Sequence, residues 1–352
     1  MTAVPVGSPG VPAASLSVGR RLPRGTAVAV PAFLVLAVAA VGLALGRNVL
    51  VWALLGYLLA AVVVPVVSGV VEGRRKAADR LVTTLVVGAF LVALAPLLSL
   101  VVYAVGRGAT RFDVEFFTTS LRNIGARDAG GGIYHALVGT LQQVGIAALF
   151  SVPVGLLVAV YVVEYGRGRL AAAIRFFVDV MTGIPSIVAG LFVLSFWILG
   201  LGFGFSGFAA AIALSVLMLP TIVRSAEEML KLVPGSLREA SLALGVPQWK
   251  TILWIVLPTA LPGIVTGVML AVARVMGETA PVLLTAFGAT SINNNPFSGE
   301  QASLPLFIYQ ESQSSQATAV DRAWTAALVL ILVIMLLNLL ARLVTRRSTL
   351  QK

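Results

Sequence analysis

The chain has 352 residues, of which 59% are hydrophobic and only 11% charged. A soluble domain carries about 25% charge, so these charges cannot cover a water-facing surface of this size, and lipid is the expected solvent for most of the chain. The absence of cysteine excludes disulfides, thiolate catalysis and sulfur-ligated metals, and a single histidine excludes a multi-histidine metal site.

Residues 1–25 are rich in Gly, Pro and Ser and are expected to form a disordered tail. With the first apolar run they have the basic-then-hydrophobic order of a signal sequence. No small-residue cleavage site follows, and Arg47 leads directly into another apolar run, so an uncleaved anchor is expected. Stretches long enough to cross a hydrocarbon core of about 30 Å lie at roughly 26–46, 49–71, 81–105, 136–163, 176–200, 206–223, 252–276 and 324–344. The sixth is the shortest. Together they predict an all-α, polytopic helical bundle with an even number of spans and both termini on one side. No internal repeat suggests a two-halved secondary transporter.

The formal charge of +11 is explained by sidedness rather than by nucleic acid. If the N-terminus is cytoplasmic, Arg20, Arg21, Arg24, Arg74, Arg75, Lys76, Arg80, Arg167, Arg169, Arg175, Arg224, Lys231, Arg238, Lys250, Arg342, Arg346, Arg347 and Lys352 lie inside. Arg47, Arg107, Arg111, Arg122, Arg127 and Arg322 fall outside, and Arg274 lies within a span. That bias is the positive-inside pattern.

The longest cytoplasmic loop, about 224–250, is sharply punctuated. Pro234 and Gly235 end an amphipathic segment containing Glu227, Glu228 and Lys231. Ser236-Leu237-Arg238-Glu239 then has the capping-box pattern, Gly245 suits a helix C-terminal cap and Pro247 opens the next helix. The short helix between is either a capped connector or a docking knob for a partner. The lysines follow Arg75, Leu230, Trp249 and Gln351, so the Gly-Lys of a phosphate-cradling P-loop is missing.

Further along, Arg274 and Glu278 stand at i and i+4 in an apolar run, where ionisable groups are costly. They form either an ion pair that ties helices together or part of a polar route, in which a guanidinium fork can meet oxyanions. Pro185 with Ser186, and Pro258 with Pro262, interrupt spans through packing kinks or a lined path. Gln142 and Gln143 fit interhelical hydrogen bonding, Asp179 fits a pair with Arg175, and His135 fits a solvated or hydrogen-bonded ring near the outer interface. The polar loop 285–323, with Asn293 to Asn295, is expected to face outward.

The run EASLALGVPQWKTILWIVLP, Glu239 to Pro258, resembles the EAA loop of ABC-importer permeases, with Glu239, Ala240 and Gly245 in place and Ser241 where that motif has its second alanine. GIPSIVAGLF (183–192), LPTIVRSAEEML (219–230) and TGVMLAVARVMGETAPVLL (266–284) extend the resemblance to the phosphate-importer permeases over about 81–345. The resemblance implies the type I ABC-importer permease fold: six core spans at 81–345, preceded by two extra spans and a basic linker at 26–80 and followed by a cytoplasmic tail at 346–352. It further implies a bacterial plasma-membrane subunit that is not itself an enzyme, with no cofactor or metal in this chain. ATP and Mg would be bound by a partner ATPase present in two copies, docked on the helix carrying Glu239, Ala240, Ser241 and Gly245. The other implied partners are a second permease and an extracytoplasmic phosphate-binding protein, with phosphate passing Arg274 and Glu278. Another oxyanion, molybdate or sulfate, is the alternative cargo, and a secondary transporter the alternative class.

Overall fold

The computed structural model describes residue 23 and residues 26–46 and 48–349. The rest of the predicted tail at 1–25, Arg47 and the last three residues lie outside the described residues. Helix dominates: α1 (Thr26–Ala44), α2 (Val49–Val71), α3 (Arg74–Gly108), α4 (Val114–Thr118), α5 (Tyr134–Val160), α6 (Arg169–Thr182), α7 (Ser186–Val193), α8 (Gly207–Lys231), α9 (Gly235–Ala243), α10 (Gln248–Thr251), α11 (Leu257–Met276), α12 (Ala280–Thr285), α13 (Leu304–Ser312) and α14 (Ala317–Thr349). Short π-helical segments extend α5 to Tyr165 and α7 to Gly200, and join α10 to α11. Residues 1–101 and 102–352 form two compact units.

In the first unit α1 packs along α2. Gly56 makes this possible, since a Cβ there would stand 2.9 Å from the Leu34 carbonyl oxygen; small residues at such contacts let backbones approach. The Tyr57 hydroxyl donates to the Thr84 carbonyl at 2.6 Å, tying α2 to α3. At the turn between them, Arg80 donates to Glu72 at 2.9 Å and Ser68 donates to the same carboxylate at 2.8 Å.

In the second unit α8 is the axis, with α5, α11, α6, α7 and α12 around it. Ala209, Ala210, Ala211 and Ala213 are buried along it, so neighbouring helices come close without large side chains between them. The sequence predicted a short sixth span ending near 223 and a separate segment after it. The helix instead runs unbroken to Lys231, because buried Glu227 is neutralised by Arg175, Arg224 and Lys231. Pro220 is accommodated inside the helix, which ends only ahead of Pro234.

The predicted fifth span, 176–200, is not one straight helix. Arg169–Thr182 and Ser186–Gly200 meet at 104°. Pro185 has no N–H to donate and disfavours helical backbone at Ile184, so the chain turns there. A Cβ on Gly190 would lie 2.8 Å from Pro281 Cα, which brings α7 and α12 into backbone contact.

The loop 285–323 is not exposed throughout. Ala302, Leu304, Leu306 and Phe307 are buried, and α13 packs against α14 and α5. At that end, buried Arg322 donates to Glu311 at 2.7 Å and to the carbonyls of Asp128, Gly130 and Gly125. His135, expected as a solvated or hydrogen-bonded ring near the outer interface, is buried with its ring edge-on to Phe307 and its Nδ1 without a hydrogen-bond partner among the described residues.

Candidate functional site

Two places carry the predicted functional residues: the short helix α9 at one end of the bundle, and the segment from the end of α11 into α12.

Helix α9 starts two residues earlier than the sequence pattern implied. Pro234 is its N-cap and makes no side-chain cap, so Ser236 falls at the second helical position and the predicted capping box does not form. Proline's fixed φ sets the entry instead. The other end matches expectation closely. Gly245, at φ +77°, follows the last turn; its N–H reaches the Leu242 carbonyl at 2.9 Å and that of Val246 the Ser241 carbonyl at 3.2 Å. This is the paired closure that a left-handed glycine permits.

The two faces of α9 differ. Inward, the Ser241 and Thr251 hydroxyls share a buried hydrogen bond of 2.8 Å. Arg238 lays its guanidinium on Glu164, with Nη2 at 2.7 Å and Nε at 3.1 Å from Oε1, and donates to the carbonyls of Val233 at 2.6 Å and Leu230 at 2.9 Å. Gln248 adds a bond to the Glu164 carbonyl at 2.9 Å. The helix is thereby fastened to the ends of both α5 and α8. Outward, Glu239 and Ala240 are exposed, as are Leu237, Leu242, Leu244 and Trp249. An apolar, rigidly held surface of this kind is suited to a partner. Ser241 therefore holds the helix down, while Glu239, Ala240 and Gly245 are presented.

The expected Arg274–Glu278 pair does not form. Helix α11 ends at Met276; the Gly277 N–H bonds to the Arg274 carbonyl and that of Glu278 to Val275. Glu278 thus stands beyond the helix end, where the i, i+4 relation no longer holds. It is half-buried and lines a crevice with Thr140, Gln143, Leu214, Ser303 and Pro305 that is too tight for water. Arg274 is exposed and, among the described residues, in no ion pair. Its face of α11 also presents Thr259, Thr266 and Leu270, at helical spacing.

Beside the crevice, glutamines fix the segment after α12. Gln301 donates to Gln142 at 2.6 Å and to the Asn293 carbonyl at 3.0 Å, and accepts from Gln143 at 3.1 Å. Gln143 also donates to the Ala302 carbonyl, at 3.1 Å. Gly139 and Gly207 leave the space: a Cβ on Gly207 would lie 2.0 Å from Gln301 Oε1. The predicted hydrogen-bonding role of Gln142 and Gln143 is thus directed at a loop rather than at a neighbouring span.

Asp179 pairs with Arg224 and not with Arg175, which turns to Glu227 at 3.5 Å. Sequence reasoning missed the Glu164–Arg238 clamp, whose members are 74 residues apart. Glu227 left a usable trace, with Arg224 and Lys231 at i−3 and i+4.

A family model described as "Binding-protein-dependent transport system inner membrane component" matches residues 151–349. The "Phosphate transport system permease protein PstA 1" of Mycobacterium tuberculosis is 50% identical over 293 residues, 81% of this chain and 94% of its own. The "Phosphate transport system permease protein PstA" of Mycobacterium leprae is 49% identical over 269 residues, 76% of this chain and 88% of its own. Among solved structures, one titled "Inward facing conformations of the MetNI methionine ABC transporter" aligns with a TM-score of 0.49 at 24% identity, covering 62% of this chain and 94% of that one.

Proposed function

The chain belongs to the binding-protein-dependent transport system inner membrane components, and on that premise we propose that it is the permease subunit of an ATP-driven importer of inorganic phosphate. One observation carries the reading of the site. Arg274 is exposed on the face of a membrane-spanning helix, with no acid paired to it among the described residues. It stands in the last turn of the span Gln248–Met276, and a guanidinium facing hydrocarbon there is costly unless it reaches water or a partner surface. That face is therefore covered by a second permease across a water-filled route, where the same charge attracts phosphate and offers it a fork of donors. Glu278, at the turn that follows, shapes the wall of the route. The phosphate relatives at about half identity support phosphate over other oxyanions.

On this reading α9 is the coupling element. Its exposed leucines, Trp249, Glu239, Ala240 and Gly245 seat in an ATPase partner, of which there are two copies. ATP and Mg belong to that partner, and this chain is not catalytic. A phosphate-binding protein delivers the anion at the opposite end. The α9 end, and with it both termini, is cytoplasmic in a bacterial plasma membrane, as the distribution of cations supports.

The test is radiolabelled phosphate uptake at low external phosphate in cells lacking the chain, complemented at matched membrane levels. Wild type restores vanadate-sensitive uptake, and Arg274→Gln, or Glu239→Ala with Gly245→Asp, does not. Normal uptake by Arg274→Gln would remove the arginine from the pathway. Failure of wild type with its partner subunits present would overturn phosphate as cargo.

A further inference from the structure

The first unit holds an apolar groove of about 330 Å3, lined by Pro31 and Leu36 of α1, Tyr57 of α2, and Thr84, Val87 and Leu91 of α3. Its wall is almost wholly apolar, so water gains nothing by filling it. Its size is at the lower end of small-molecule sites, roughly 300–1,000 Å3.

The charge below it is arranged in register. Lys76, Arg80, Thr84, Val87 and Leu91 follow one another at steps of three or four residues and so run up a single face of α3. At 1.5 Å per residue, Lys76 lies about 12 Å along the helix from Thr84. Helix α1 packs on α2 through a short connection, so the start of α1, with Pro31, lies toward the same end as the α2–α3 turn and its cations. Arg74, Arg75 and Lys76 are all exposed there. The acids nearby do not neutralise them. Glu72 is taken up by Arg80 and Ser68. Asp79 meets Lys76 only at 4.0 Å, with both side chains solvated, a contact of small energy.

We propose that this three-helix unit binds an anionic phospholipid, one acyl chain lying in the groove and the headgroup phosphate held by Lys76 at its foot, within the positive field of the neighbouring Arg74 and Arg75. The apolar wall excludes a free anion as the groove's occupant, and the cations at its foot select a negative headgroup over a zwitterionic one. Three cations also stand in the first turn of α3, where the helix's positive end opposes them; an anion at that position relieves the repulsion.

The experiment uses the full chain in phosphatidylcholine nanodiscs carrying trace spin-labelled phosphatidylglycerol or spin-labelled phosphatidylcholine, with the immobilised fraction read by electron paramagnetic resonance. Wild type immobilises phosphatidylglycerol preferentially. Neutralising Arg74, Arg75 and Lys76 together to Gln weakens that preference by roughly fivefold per cation. These side chains are solvent-facing, so the variant folds. Ala32→Phe, which fills the groove, lowers the immobilised phosphatidylglycerol as well. An unchanged preference in the triple variant would overturn the site. Preference that survives groove filling and is abolished by millimolar inorganic phosphate would show a surface anion patch in place of a lipid site.

Discussion

At the scale of single residues, a few buried polar groups carry disproportionate weight. Arg322 is almost fully buried, with an acid and three carbonyls as partners. Arg322→Met leaves Glu311 and those carbonyls unsatisfied, and a loss of about 3–5 kcal/mol is expected in thermal unfolding of the detergent-solubilised chain. Glu227→Gln is milder, about 1–3 kcal/mol by the same measurement, because Arg175, Arg224 and Lys231 retain access to water when their acid is lost. Gly207→Ala sets a methyl 2.0 Å from Gln301 Oε1 and must expel that side chain. A destabilisation of about 1–3 kcal/mol is expected, with accelerated proteolysis between 287 and 301. None of the three was a leading candidate in the sequence. Burial depends on what comes from elsewhere in the chain, and a lone Arg or Gly does not announce it; only Glu227 left a local trace, in the cations at i−3 and i+4.

At the scale of elements, α9 differs from its neighbours in how it is held. The Arg238–Glu164 clamp joins it to α5, while the carbonyls of Leu230 and Val233 join it to the end of α8. Motion imposed on α9 is thus carried to two helices at once. On the coupling role proposed for α9, Arg238→Gln is expected to reduce phosphate uptake about tenfold while ATP hydrolysis by the proposed ATPase partner persists; proportional loss of both activities would mean simple unfolding. Much of α9 was legible beforehand, since Pro234, Gly245 and Pro247 act locally and bracket the helix, its C-terminal end to within a residue and its start to within two. The capping box was misread because Ser236 and Glu239 have the right spacing but the wrong start, which Pro234 sets. The broken span was legible only as an interruption at Pro185. Its 104° bend is fixed by how α7 packs on α12, a contact between segments about ninety residues apart.

At the scale of the molecule, the eight apolar runs all fall on helix and in the expected order, because every membrane-spanning backbone must satisfy its own hydrogen bonds as helix. Among the described residues, however, six helices are long and apolar enough to cross, seven with the bent pair, and α1 is shorter. Depth was less legible: α8, read as the shortest span, is the most enclosed, while α3 is among the least. Alanine and glycine mark the interior of a membrane bundle where leucine marks its lipid face, and hydrophobicity alone does not separate them. The absence of cysteine makes sidedness directly measurable. With Leu244→Cys or Ile292→Cys introduced singly, a charged maleimide is expected to label the first only in inside-out vesicles and the second only in right-side-out vesicles.

The bend between α6 and α7 has a mechanical consequence. When one half stands across the membrane, the other lies close to its plane, and α6 carries Leu170, Phe176, Phe177 and Val180 exposed, a surface that the acyl boundary accepts. The half from Ser186 to Gly200 then reaches about 22 Å, short of a hydrocarbon layer of about 30 Å. The bilayer beside it must thin, at a fraction of a kcal/mol for each ångström. Turnover of the transporter should therefore rise and fall with acyl-chain length in reconstituted vesicles, making the thickness of the surrounding lipid a tuning variable.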